Sequence, residues 1–159
     1  MRVWILLIML SSLFREDLHG RVVGISDGDT FTLLTEEHAQ VKVRLHGIDA
    51  PEKGQEFGQA AKKALSGLIY GHTVVVTGKG KDRYGRTIGM VFVDDRNINE
   101  EMLRLGMAWH YLKYDKDPRW DAFERIAREA RTGLWSQADP MAPWEWRAAR
   151  RVARSDLTP

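Results

Sequence analysis

Cysteine is absent from the 159 residues of the chain. This absence excludes a disulfide-stabilised scaffold, a thiolate zinc site and a cysteine nucleophile, and it fits oxidising and reducing compartments equally. The sequence also lacks any apolar run approaching the roughly 20 residues of a membrane-spanning helix, so we expect no stable membrane partner. Internal repeats and low-complexity linkers are missing as well, which favours one domain.

Neither sign of charge is in large excess, because the formal net charge is only +2. Such a balance permits an anionic partner without requiring one. Hydrophobic residues make up 43% of the chain and charged residues 29%. These proportions are typical of a globular protein and argue against a disordered one.

The first 14 residues have the order of charge and hydrophobicity of a short secretory leader. Arg2 precedes an apolar stretch over residues 3–10, and a leader of this kind would direct the protein to the periplasm or out of the cell. The usual small-residue cleavage pattern is missing before Arg15. The alternative is an N-terminal strand or helix packed on the domain, with a cytoplasmic location.

Short strands fill most of the remaining sequence, and helices fill its last third. Alternation of apolar and polar residues predicts a half-buried strand over residues 41–45, and helical spacing predicts an amphipathic helix over residues 57–69. The other predicted strands cover residues 22–25, 31–34, 74–76 and 88–92, and further helices run from Asn97 to Gly106, from Pro118 to Gly133 and from Trp144 to Arg154. This order predicts an α+β fold built on a five-stranded β-barrel of the OB type with packed helices.

Two carboxylates, Asp27 and Asp29, lie in a tight turn between the first two predicted strands. An Asp-Gly turn is common in plain hairpins, so this motif alone is a weak sign of function. A second acidic group, Asp49 and Glu52, follows one strand later, after the predicted strand end at Ile48. Those two side chains either cap the following helix or help to bind a hard cation, which would offset the repulsion among the four acids.

Basic groups accompany these acids. Residues 78–86 form a predicted basic loop that includes Arg83, Tyr84 and Arg86, and Arg44 shares its strand with the acidic group. A solvated charged hairpin would explain the loop without any function. Alternatively, guanidinium groups bind phosphate through paired hydrogen bonds. Carboxylates for a metal and arginines for a phosphoryl group are what phosphodiester cleavage requires.

Taken in order, three blocks of the chain resemble the staphylococcal nuclease family. The blocks are residues 26–30 (SDGDT), 43–52 (VRLHGIDAPE) and 82–86 (DRYGR), and the resemblance continues through residues 99–109 and 133–135. We therefore assign residues 18–136 to a nuclease-like OB domain. Residues 137–159 form a C-terminal Pro/Trp segment and a basic helix that we expect to pack on the same domain.

The resemblance implies Ca²⁺-dependent hydrolysis of DNA and RNA without strong sequence specificity, by cleavage of the 5′ P–O bond to leave 3′-phosphates. By motif position, Asp29 and Asp49 correspond to the calcium carboxylates, and the main-chain carbonyl of Ala50 corresponds to a third ligand. Asp27 would orient the waters of the metal.

The same resemblance implies three catalytic side chains. Glu52 corresponds to the residue that orients or deprotonates the attacking water. Arg44 and Arg86 correspond to the pair that binds the phosphate and its developing charge. A second base is not needed, so we expect His110 to be structural.

Weaker assignments concern the substrate groove and the C-terminus. We assign base or phosphate contacts to Arg83, Tyr84, Tyr111 and Tyr114, and we expect a monomer that prefers single strands. Trp144 and Trp146 should pack the C-terminal segment onto the barrel. The arginines that follow them at helical spacing form either a solvated basic face or an accessory nucleic-acid contact; they are Arg147, Arg150, Arg151 and Arg154.

The alternative to an enzyme is a catalytically inactive nuclease-like module that binds nucleic acid or protein. Relatives of that kind lose the carboxylates and arginines of the motifs. Here all five central side chains are present, and they are Asp29, Arg44, Asp49, Glu52 and Arg86. The sequence therefore favours a nuclease.

Overall fold

The computed structural model of the chain describes residues 17–155. The predicted leader at residues 1–14 lies outside this range, so the leader and export stay predictions. The assignment of residues 18–136 and 137–159 to a domain and its appended segment also stays a prediction. Among the described residues, no helix is both long enough and apolar enough to cross a membrane.

A closed barrel of five strands forms the centre of the structure. Its strands are β1 (Leu18–Ile25), β2 (Thr30–Thr35), β3 (Gln40–Leu45), β5 (Thr73–Lys81) and β6 (Thr87–Val93). Neighbouring strands pair antiparallel in the order β3-β2-β1-β5-β6, and a parallel pairing between β3 and β6 closes the barrel. The prediction of an α+β fold on an OB-type barrel is confirmed.

Alternation along the strands fills the barrel with apolar side chains. Val43 and Leu45 of β3 point inward and are almost fully buried, as are Phe31 and Leu33 of β2. Because successive side chains of a strand point to opposite faces, Arg44 lies outside this apolar interior. The two-residue period that predicted β3 thus also determines where its arginine goes.

The predicted basic loop at residues 78–86 is shorter in the structure. Strand β5 continues through Lys81, and its pairing with β6 shifts register between Gly78 and Gly80. Gly80 has a φ of 132°, a backbone conformation that glycine adopts without steric cost. An irregular strand therefore replaces the first half of the loop, and only residues 82–86 form the turn.

Within residues 17–155, four α-helices surround the barrel: α1 (Gly58–Ile69), α2 (Ile98–Arg104), α3 (Pro118–Glu129) and α4 (Pro143–Ser155). The apolar face of α1 packs Ala61, Leu65 and Ile69 into the core at the four-residue spacing of a helix. Helix α3 ends at Glu129, before the predicted Gly133, because Arg131 adopts a left-handed φ of 52° just after the C-cap Ala130. Gly133, with a φ of 60°, begins a short 3-10 helix at Gly133–Ser136.

The buried side chain of Asn99 joins α2 to the barrel. Its Oδ1 accepts a hydrogen bond from the Val91 backbone N–H (2.9 Å), and its Nδ2 donates to the carbonyl oxygens of His46 (2.9 Å) and Gly89 (3.3 Å). These bonds satisfy backbone groups at the β3–β6 closure. The closure is thereby fixed beside the segment that carries Asp49.

Short strands hold that segment. The two-residue strand β4 (Ile48–Asp49) pairs antiparallel with β8 (Trp109–His110), while β7 (Arg96–Asn97) extends from β6. Within the β4–β8 pair, Asp49 lies opposite Trp109. The backbone of Asp49 is therefore placed by pairing with a strand that is distant in the sequence.

A hydrogen bond and aromatic contacts attach the C-terminal segment to the rest of the structure. Gln55 Nε2 donates a hydrogen bond of 2.7 Å to the backbone oxygen of Met141. Trp144 stacks on Tyr111, with ring centroids 5.0 Å apart and an interplanar angle of 7°, and meets Trp109 edge-on at 5.6 Å. Trp146 is half-buried. The start of α4 is consequently anchored next to β8 and Asp49.

Candidate active site

The turn between β1 and β2 carries the first two acids of the site. The backbone N–H of Asp29 donates to Asp27 Oδ1 over 3.2 Å. Gly28, between them, lies so close to α1 that a Cβ atom there would come within 2.6 Å of Ala61 Cβ and 2.8 Å of Ala50 Cβ. Glycine therefore lets the turn press Asp29 against the Ala50 segment.

Asp29 is buried, with 3% of its surface exposed, and each of its oxygens has partners. Oδ1 accepts from Thr30 Oγ1 (2.8 Å) and Arg44 Nη1 (3.1 Å), and Oδ2 accepts from the backbone N–H of Ala50 (3.1 Å). Burial raises the pKa of Asp29, and the positive charge of Arg44 opposes that rise. Ionised Asp29 thus depends on nearby cations.

Arg44 joins Asp29 to the second buried carboxylate, Asp49. Its Nη2 lies 3.1 Å from Asp29 Oδ2 and 2.8 Å from Asp49 Oδ1. Burial disfavours the charge of Arg44, but the two carboxylates outweigh it and raise the pKa of the guanidinium above its ordinary value. The arginine is therefore a permanent cation between two acids, and 19% of its side chain faces solvent.

A second arginine in the site, Arg147, comes from α4. Its Nη2 lies 2.7 Å from Asp49 Oδ2, and its Nη1 lies 3.2 Å from Asp49 Oδ1 and 2.8 Å from Glu52 Oε1. Although burial opposes the charge, hydrogen bonds to both carboxylates raise the pKa of Arg147. The residue lies between the acids that the sequence assigned to metal binding and to water activation.

Sequence reasoning missed this role for Arg147 and treated it as one of several arginines on a basic face. Both alternatives for that face, solvation or an accessory nucleic-acid contact, leave out the ion pairs with Asp49 and Glu52. The residue that could have revealed this role is Trp144. A tryptophan that packs against the rest of the protein three residues before Arg147 places Arg147 on the same, inward face of the helix. The other arginines of α4 are exposed, and they are Arg150, Arg151 and Arg154.

Helix capping does not explain Asp49 and Glu52. Helix α1 begins after Phe57, which has a φ of 64° and provides no side-chain hydrogen bond to the helix. Glu52 instead presents a carboxylate that is 34% exposed at the side of the site. The cations on these two acids in the structure are the guanidinium groups of Arg44 and Arg147, and the binding of a hard cation stays a prediction.

Arg86 approaches the site from the turn between β5 and β6. Asp82 Oδ2 accepts from Arg86 Nε over 2.7 Å, and Arg86 Nη1 lies 3.4 Å from Thr30 Oγ1, the hydroxyl that donates to Asp29. Burial disfavours ionised Asp82, but hydrogen bonds from Arg86 and from the Tyr84 backbone lower the pKa of this carboxyl. Arg86 is thus held in place and linked to Asp29 through one hydroxyl.

The aromatic residues assigned to substrate contact lie on two surfaces. Tyr84 is exposed on the same turn as Arg86, with the guanidinium carbons of Arg83 and Arg86 at 4.8 Å and 5.6 Å from its ring. Tyr111 lies against Trp144, and exposed Tyr114 meets Tyr111 edge-on at 5.0 Å. Either surface offers an aromatic face to which a nucleobase could stack.

His110 lies apart from these carboxylates in a polar cluster of its own. Its Nδ1 is 2.6 Å from Asp121 Oδ1, and its Nε2 is 3.2 Å from Asp115 Oδ1. The ring is almost fully buried and packs edge-on against Trp120 at 5.8 Å. These contacts suit the structural role expected from the sequence.

The donor set can be tested against the Ca²⁺ that the resemblance implies. Asp29 and Asp49 have carboxylate oxygens on either side of Arg44. The backbone N–H of Ala50 donates a hydrogen bond to Asp29 Oδ2, and the carbonyl of the same residue is the expected third ligand. Hard oxygen ligands of this kind fit Ca²⁺ chemically. Over residues 17–155, however, no group of three or more acidic or histidine side chains is arranged to hold a metal ion. A metal ion here would need water ligands as well. It would also compete with Arg44 and Arg147, whose guanidinium groups contact the carboxylate oxygens of Asp29 and Asp49.

Comparison with known proteins gives consistent matches. The family model described as staphylococcal nuclease homologue matches residues 42–137. An "Uncharacterized endonuclease" of Haemophilus influenzae is 46% identical over 144 residues, which cover 91% of this chain and 81% of the relative. A "Micrococcal nuclease" of Shigella flexneri is 43% identical over 148 residues, covering 86% of this chain and 84% of the relative. Both Asp29 and Arg147 lie outside the range of the family match.

The close approach at Gly28 generates a prediction for Gly28→Ala. The new methyl group would overlap two Cβ atoms that cannot move away cheaply, so we expect a loss of about 1–3 kcal/mol in the free energy of unfolding. Urea titration measures this loss. Gly24→Ala is the matched control, because its nearest atoms belong to Thr32 at 3.8 Å. Equal stability of the two variants would show that the turn does not press on α1.

Proposed function

Because the chain belongs to the staphylococcal nuclease family, we propose that it is a Ca²⁺-dependent nuclease that hydrolyses DNA and RNA without strong sequence specificity. The observation that carries this proposal is the cluster in which Arg44 lies between Asp29 and Asp49, with Glu52 beside it. An inactive binding module would have no need to bury two carboxylates and compensate them with arginine.

In this proposal, Asp29, Asp49 and the carbonyl of Ala50 hold the calcium ion, and Asp27 orients its waters. When bound, the ion supplies Lewis-acid stabilisation of the charge on the phosphoryl oxygens. Thr30 fixes the orientation of Asp29 by donating to its Oδ1. The carboxylates are thereby held before the substrate arrives.

Arg44 and Arg86 bind the phosphate and the charge that develops on it. Each guanidinium is held by a carboxylate, Arg44 by Asp29 and Asp49, and Arg86 by Asp82. Donors fixed in this way need little reorganisation during the reaction, and this preorganisation is a large part of electrostatic catalysis. About one fifth of the Arg44 side chain is exposed to solvent, and the phosphate would bind on that side.

Glu52 orients the attacking water and accepts its proton. The water oxygen forms a bond to phosphorus as the bond from phosphorus to the 5′ oxygen breaks, which leaves a 3′-phosphate on one product. The departing 5′ oxygen takes a proton from solvent water and becomes a hydroxyl, and Glu52 returns the proton it accepted to solvent. With one third of its side chain exposed, Glu52 is open to water in a way that Asp29 and Asp49 are not.

The exposed aromatic residues supply the basis for a preference for single strands. Tyr84 lies beside Arg86, and Tyr111 and Tyr114 lie beside Trp144. Unpaired bases can stack on such rings, whereas bases within a duplex cannot. We propose that Arg83 and these tyrosines hold the strand on either side of the reacting phosphate and that one copy of the chain suffices.

A digestion assay tests the reaction and its metal. Plasmid DNA, single-stranded DNA and RNA should be cut in Ca²⁺, cut poorly in Mg²⁺ and left intact in EDTA, because two carboxylates and a carbonyl suit a larger and more flexible cation. Product ends should carry 3′-phosphates by end-group analysis. Full activity in EDTA would contradict the metal assignment, and intact substrates under all conditions would contradict the nuclease.

Arg86→Lys tests the role of a fixed guanidinium. Lysine keeps the charge but replaces a planar pair of donors with a flexible point charge, so we expect kcat on single-stranded DNA to fall by about 10²–10³. KM should change far less, since the lost interaction belongs to the transition state. Arg96→Lys, at an exposed position in β7, is the control. Near-normal kcat in a folded Arg86→Lys protein would remove Arg86 from the mechanism.

A further inference from the structure

We propose that Arg147 and Ca²⁺ bind Asp49 in competition, so that α4 sets the calcium concentration at which the site fills. This inference rests on the proposed function, because it takes Ca²⁺ as the ion. It goes beyond that function because Arg147, a cationic side chain of the C-terminal helix, must leave Asp49 before the metal can bind both oxygens of that carboxylate.

The contacts of Asp49 leave no oxygen without a cation. Its Oδ1 accepts from Arg44 (2.8 Å) and Arg147 (3.2 Å), and its Oδ2 accepts from Arg147 (2.7 Å). The residue is fully buried, so an incoming ligand cannot approach from an unused side. Ca²⁺ bonds to carboxylate oxygen at about 2.3–2.6 Å. An ion at that distance from Oδ2 would overlap the guanidinium of Arg147, which lies 2.7 Å from the same oxygen, and the two positive charges would repel each other.

Arg147 is the arginine that can leave. Arg44 is fixed on a barrel strand and holds both Asp29 and Asp49, with 19% of its side chain exposed. Arg147 is 34% exposed and extends from a helix whose later residues are exposed. A long arginine side chain at such a boundary can reach solvent by rotation alone.

The helix itself need not move for the exchange. Trp144, one turn before Arg147, is stacked on Tyr111, and Ala142 is buried just before the helix. These contacts keep the start of α4 beside the site whether or not the guanidinium is on Asp49. Arg147 therefore remains at high local concentration and competes as an intramolecular ligand.

Glu52 takes part in the same exchange. Its Oε1 accepts from Arg147 Nη1 over 2.8 Å, and this bond uses the carboxylate that is proposed to act on water. Departure of Arg147 would free both a metal ligand and the water-activating group in one movement. Calcium binding and readiness for hydrolysis would then be coupled through one side chain.

Calorimetric titration with CaCl₂ tests the competition. If the guanidinium occupies Asp49 about nine-tenths of the time, removing it should lower the apparent Kd for Ca²⁺ about tenfold. We expect that result for Arg147→Gln. Arg151→Gln removes the same charge from an exposed position of the same helix, and its Kd should stay within about twofold of the parent at matched ionic strength.

Chemical footprinting of the unaltered protein provides a second test that does not depend on folding of a variant. Phenylglyoxal modifies accessible guanidinium groups, and peptide mass spectrometry reports each site. Saturating Ca²⁺ should increase the modification rate of Arg147 severalfold and leave that of Arg151 unchanged.

The outcomes separate this inference from the proposed function. Tighter calcium binding by Arg147→Gln than by Arg151→Gln, with calcium-dependent labelling of Arg147, supports the competition. Measurable calcium binding with equal Kd values and unchanged labelling overturns the competition and leaves the calcium proposal standing. If neither the parent nor Arg147→Gln binds Ca²⁺, the calcium assignment itself fails, and the competition fails with it.

Discussion

Two carboxylates buried side by side at one end of a barrel cannot both stay ionised unless a cation lies between them, and Arg44 is that cation. Asp29 comes from the turn between β1 and β2 and Asp49 from strand β4, and their repulsion would otherwise push these two segments apart or protonate one of the acids. Because Arg44 bonds to both, it fixes the distance between the two segments. The position of every other group in the site depends on this arrangement.

The rest of the structure brings Asp29, Arg44 and Asp49 together. Strand alternation directs Arg44 away from the apolar interior while Val43 and Leu45 fill it. Pairing of β4 with β8 places Asp49 beside Trp109 and Tyr111, the rings against which Trp144 of α4 packs. Packing of these aromatic rings therefore also holds Arg147, one turn later on α4, next to Asp49.

Much of this was predictable because the relevant signals are local. The two-residue period of β3 and the helical spacing of α1 identified both elements, and the resemblance of the motif blocks to the staphylococcal nuclease family is why Asp29 and Asp49 were expected to meet. Arg147 was not predictable in the same way. Four arginines share helical spacing on α4, and only the stacking of Trp144 on Tyr111 determines which of them faces the acids. The start of α1 was predicted to within one residue, but its form was not, because Phe57 is a left-handed residue with no capping side chain.

A crystal soaked in CaCl₂ and measured at long wavelength shows directly whether Asp29 and Asp49 hold calcium. We expect an anomalous peak for calcium at about 2.3–2.6 Å from oxygens of Asp29, Asp49 and Ala50, with Arg44 still between the two acids. A calcium peak elsewhere, or no peak at these oxygens at saturating concentration, would contradict a calcium site built on these residues.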